Sequence, residues 1–174
     1  MRQFSRNMPP RSKELVVPLC LIRLGVVVIA ASTLAGSWSS FVAFAAFVTI
    51  IVVVGRIETR RLRAMAGGRP DDNICTFARS FDRRAVDPWV IRAVYDELQE
   101  YFRGEVTAFP VRASDSFSQN LRLDPEELED LVEAIAKRIN RSLEDSVHNP
   151  YYGELRTVGN LVHFLASQPK ENAA

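Results

Sequence analysis

The chain has very little of the chemistry that marks an enzyme or a metalloprotein. Its 174 residues hold two cysteines, Cys20 and Cys75, and two histidines, His148 and His163. No CxxC or Cys/His spacing exists, so neither a zinc site nor a disulfide framework is implied. The histidines are isolated, and no Ser/His/Asp, Cys/His or paired-carboxylate arrangement can be assembled, so no catalytic and no metal residues are assigned. Gly67-Gly68 lacks the strand and helix context of a phosphate loop. No strand-length run of alternating polarity is present, which points away from β-structure.

Net charge is also nearly absent, at +1, but that value conceals two unlike halves. Residues 1–63 carry nine Lys/Arg and two Asp/Glu; the remainder carries thirteen and nineteen. The basic half is also the apolar half, which favours a membrane over nucleic acid as its partner. Leu15 to Gly36 and Phe41 to Gly55 are long apolar segments separated by Ser37-Trp38-Ser39-Ser40. A bilayer core asks for about 20 apolar residues per helix. Arg23 and Pro18 interrupt the first segment, and Arg23 can snorkel to the headgroups. Arg2, Arg6, Arg11 and Lys13 precede the pair; Arg56, Arg60, Arg61 and Arg63 follow it. This distribution predicts a two-helix transmembrane hairpin with both termini cytoplasmic. The lipid bilayer is thus the first expected partner. Small residues such as Ser32, Gly36, Ala43 and Ala46 suit close helix packing within the hairpin.

The expected organisation is a basic disordered arm (1–14), the membrane hairpin (15–56), and a basic juxtamembrane segment with a Gly/Pro/Asp-rich linker (57–86). A helical domain (87–167) and a frayed polar tail (168–174) complete it. Within 57–86, Phe77 and Phe81 stand four apart and suit one helical face. The domain opens at Asp87-Pro88, an N-cap followed by proline at the first helical position. Val90, Ile91, Val94, Leu98 and Phe102 then keep helical spacing. A long loop to Asn120 carries Phe109, Val111 and Phe117 as anchors. A second helix opens at Asp124-Pro125, with Leu128, Leu131, Val132, Ile135 and Ile139 inward. Its acidic first turns and its basic end match the helix dipole. A last helix from about Thr157 to Ser167 turns Val158, Leu161, Val162 and Leu165 inward. The fold class expected is all-α.

Ser116-Phe117, Asn120-Leu121-Arg122-Leu123-Asp124, Leu131-Val132-Glu133 and Thr157-Val158-Gly159-Asn160-Leu161-Val162 occur in that order over residues 87–167. The first two together resemble the "SF..DLGLD" stretch of acyl carrier proteins, the third its "ELV" and the fourth its "TVGDLV". The resemblance implies a small acyl-carrier-like helical bundle. In that family an Asp-Ser-Leu motif at the start of the second helix carries 4'-phosphopantetheine. Here the place reads Asp124-Pro125-Glu126, and proline offers no hydroxyl, so no cofactor is expected. Asp115-Ser116-Phe117 is the one alternative attachment motif, but a helix beginning at Ser116 would run into Pro125, at a cost of about 3 kcal/mol. In carriers the acidic second helix is read by basic enzyme surfaces. The resemblance therefore points to Glu126, Glu127, Glu129, Asp130 and Glu133 as partner-binding residues. The partner would be a basic-surfaced protein of lipid or envelope metabolism. An active carrier loaded at Ser116 and a purely structural membrane subunit are the competing readings.

Overall fold

The computed structural model describes residues 38–82 and 84–170. The arm and the first apolar segment lie outside them. Every regular element among the described residues is helical: α1 (Trp38–Gly67), α2 (Ile74–Arg79), α3 (Pro88–Tyr101), α4 (Pro125–Arg138) and α5 (Val158–Ser167). Short 3-10 turns at Phe102–Gly104 and Ser146–His148 and a π-helical turn at Phe117–Leu121 complete the set. The all-α expectation holds. The expected transmembrane hairpin is not seen: among the described residues no helix is long and apolar enough to cross a membrane. Trp38 to Ser40, expected as a turn, form the first residues of α1.

The described residues divide into two compact units, one ending at Arg61 and the other beginning at Leu62. In the first unit the stretch Ile51 to Val54 of α1 is apolar on every side. Ile51, Val52, Val53 and Val54 are consecutive and all exposed. At 3.6 residues per turn, four successive residues visit the whole circumference of a helix.

The second unit is built around α3, which packs against α2, α4 and α5. Asp87 caps it by accepting from the Trp89 N–H at 2.9 Å, with Pro88 in the first turn. Val90, Ile91, Val94, Leu98 and Phe102 are buried. The unit reaches back well before Asp87. Leu62, Phe77, Phe81 and Val86 belong to the same core, with Met65 packed against it. Phe77 and Phe81 meet edge to face with ring centres 5.2 Å apart. Their apolar surface has to be buried, which draws the segment expected as a linker into the bundle.

An ion pair secures that segment. Arg69 donates from both terminal nitrogens to the two oxygens of Asp115, each at 2.8 Å, and to the Pro110 carbonyl at 3.2 Å. Arg112 pairs with Asp72 alongside. The far end differs from expectation too. Gln168 is 2% exposed, the Ser142 N–H donates to the Pro169 carbonyl, and Arg141 holds the Gln168 carbonyl. The residues Gln168 to Lys170 therefore belong to the folded unit rather than to a frayed tail.

The long loop from Gly104 to Asn120 packs through its anchors: Phe109, Val111 and Phe117 are all buried. Gln99 grips the backbone of Phe109 from both sides, donating to its carbonyl and accepting its N–H. The start of α5 is closed by the same loop. The Val158 and Gly159 N–H groups donate to the Asp115 and Ala113 carbonyls at 3.0 and 2.8 Å. The Asn160 N–H donates to the Thr157 hydroxyl at 3.2 Å. The free donors of a helix start are thus satisfied internally.

Candidate functional site

Helix α4 starts on a reciprocal cap. The Asp124 carboxylate accepts from the Glu127 N–H at 2.8 Å, and the Glu127 side chain accepts from the Asp124 N–H at 3.1 Å. Pro125 occupies the first helical position, where a missing N–H costs nothing. Leu131, Val132, Ile135 and Ala136 face the core. At the other end Arg138 reaches across to α3, with Glu97 at 3.3 Å and Asp96 at 3.8 Å. The helix is therefore fixed at both ends, and its outer face is presented rigidly.

All five carboxylates expected to meet a partner are exposed on this helix. They are not equivalent. Glu127 is committed to the cap and also hydrogen-bonds Tyr101. Burial, and then that bond to Glu127, pushes the Tyr101 phenol well above its ordinary range. Glu126, Glu129, Asp130 and Glu133 stand at i, i+3, i+4 and i+7, so they form one stripe along the helix. Among the described residues none of the four has an ion-pair partner. Like charges at these spacings repel by roughly 0.2–0.5 kcal/mol per pair. The stripe is thus a negative surface without ion-pair partners among the described residues, on a well-anchored support.

Ser116 lies in a different setting. It is half-buried between two buried neighbours, Asp115 and Phe117. Its N–H donates to the Asn120 side chain at 2.9 Å, and its hydroxyl stands 3.3 Å from that of Ser118. Asp115 is no free neighbour, since Arg69 and the Arg112 N–H (2.9 Å) occupy its oxygens. The expectation that a helix from Ser116 must run into Pro125 is corrected. The π-helical turn Phe117–Leu121 follows Ser116 directly and stops at Arg122, whose φ of 54° is left-handed. The chain ends the turn before the proline, so the two elements coexist.

The histidines do not converge on either place. His163 stacks on Tyr151 and meets the Phe81 edge, which makes it a packing residue. His148 is exposed and lies 2.6 Å from Asp145. Cys75 is exposed on α2, and Cys20 lies outside the described residues. Among the described residues no His/Cys/Asp/Glu group could hold a metal ion.

Sequence reasoning found the acidic helix and its cap. It missed the Arg69–Asp115 pair, whose members are 46 residues apart. Comparison of the chain with models of known families, with curated proteins and with solved structures finds no match in any of the three.

Proposed function

We propose that the protein is a membrane-anchored, acyl-carrier-like interaction module that carries no phosphopantetheine. It binds or regulates a basic-surfaced protein at the cytoplasmic face of a membrane, in lipid or envelope metabolism. The observation that carries this reading is the stripe Glu126, Glu129, Asp130 and Glu133: four exposed carboxylates on one face, unpaired among the described residues. Opposite charge on a partner would relieve their mutual repulsion, steer encounter and set register. The cap around Pro125 supports a helix start that works without an attachment hydroxyl. The apolar circumference of α1 at Ile51 to Val54 supports an anchor in lipid, because a stretch hydrophobic all round has to be buried. The hairpin, with both termini cytoplasmic, is part of this proposal and rests on the charge distribution of the sequence.

A second reading, an active carrier loaded at Ser116, has one observation in its favour: a helical turn begins directly after that residue. Intact mass separates the two. After incubation with coenzyme A and a phosphopantetheinyl transferase, the full chain keeps its mass under the first reading. A mass gain that disappears in Ser116→Ala establishes the second.

A further inference from the structure

Resting on the anchoring role proposed above, we infer that the helical turn after the apolar stretch of α1 is a binding site for anionic phospholipid headgroups, built from Arg56 and Arg60. Three observations converge on this turn. The preceding residues Ile51 to Val54 expose apolar surface around the whole helix. A groove on a protein covers one face, whereas a lipid core covers all of them. The two threonine hydroxyls on this helix are satisfied within it, Thr49 by the Ala45 carbonyl at 2.7 Å and Thr59 by the Gly55 carbonyl at 3.0 Å. That is the requirement for polar groups where water is scarce.

The third observation is charge. Between Arg56 and Arg61 the sole acid is Glu58, and Arg61 engages it at 3.0 Å. Arg56 and Arg60 are left exposed, and among the described residues neither has an ion-pair partner. They are four residues apart and therefore on the same side of the helix. A guanidinium fork matches a phosphate in two-point hydrogen bonding, which favours phosphate headgroups over a diffuse negative surface. Ile57, also exposed, sits beside them and extends the apolar surface into this turn.

The test uses the full chain diluted from detergent into a mixture of two vesicle populations. One is phosphatidylcholine alone, and the other contains one-third phosphatidylglycerol. Each basic residue near an anionic surface favours binding about fivefold, so the two together account for about 30-fold. The Arg56→Gln/Arg60→Gln chain is expected to enter neutral vesicles as the parent does. Its preference for anionic vesicles falls by about 30-fold at low salt. Arg56→Lys/Arg60→Lys keeps the charge and loses the fork, so it is expected to retain only part of the preference while still entering neutral vesicles, which shows that the helix itself is intact. A parent without preference, or a glutamine variant that retains it while both enter neutral vesicles, overturns the headgroup site and leaves the anchor standing. If neither chain enters either vesicle, the anchor fails and the site fails with it.

Discussion

Replacing Arg69 by methionine removes the clamp that ties the segment after α1 to the loop before α4. Asp115 is 2% exposed, and Arg69 supplies two of the three hydrogen bonds it accepts. The variant leaves one buried carboxylate with a single backbone donor and takes one donor from the Pro110 carbonyl. Breaking a buried pair from one side costs roughly 3–5 kcal/mol. Arg69 keeps some contact with water, at 14% side-chain exposure, so the lower end, about 3 kcal/mol, applies. For a unit of this size each kcal/mol shifts Tm by roughly 3–5 °C, so a fall of about 10–15 °C is expected. Thermal melting of the full chain in detergent, followed by near-ultraviolet circular dichroism, measures it. Arg69→Met/Asp115→Asn removes both charges, and it should melt well above the sum of the two single losses, with a coupling of about 2 kcal/mol. A single variant melting within about 2 °C of the parent, or strictly additive losses, refutes the clamp.

Two glycines provide a matched pair. A Cβ on Gly159 would stand 3.0 Å from the Ala113 carbonyl, and that backbone is held by the Gly159 N–H itself. Gly159→Ala is therefore expected to destabilise by about 1–3 kcal/mol, the usual range for overpacking. Gly67, at the end of α1, has nothing within 4 Å of the added atom, so Gly67→Ala should be neutral or stabilising by up to about 1 kcal/mol. Urea titration of both variants reads the difference.

Local signals were the most legible part of this chain. Both Asp-Pro helix starts are visible as residues, because an N-cap and a first-turn proline act over three positions. The inward residues of α3, α4 and α5 follow from period alone, and Phe109, Val111 and Phe117 stood out as apolar residues in a polar loop. The start of the second unit was not legible. Its breaker-rich segment reads as a linker until Arg69 meets Asp115, and no local pattern announces a pair 46 residues apart. Phe77 and Phe81 were the available clue, since two aromatic residues four apart need a surface to cover them. Gln168 gave no clue: a polar residue near the end reads as solvent-facing, and contacts from distant residues, Arg141 to its carbonyl and Ser142 to the Pro169 carbonyl, hold it in. In the candidate site, the acidic stripe was readable from spacing. The separation of Glu127 from the other four was not, because it depends on the cap geometry and on Tyr101 arriving from α3.

The acidic stripe is the centre of the account, and charge reversal tests it most directly. A photo-crosslinking residue at Pro125, beside the stripe, would be introduced into the full chain in intact membranes. It would be introduced again in the background Glu126→Lys/Glu129→Lys/Asp130→Lys/Glu133→Lys. Glu127 stays, because it caps the helix. Exposed substitutions of this kind change stability by about 0.5 kcal/mol or less each, so the bundle should still melt cooperatively. The account predicts a discrete crosslinked protein that weakens with added salt in the parent and is lost in the reversed chain. The same crosslink at full yield from the reversed, folded chain contradicts it.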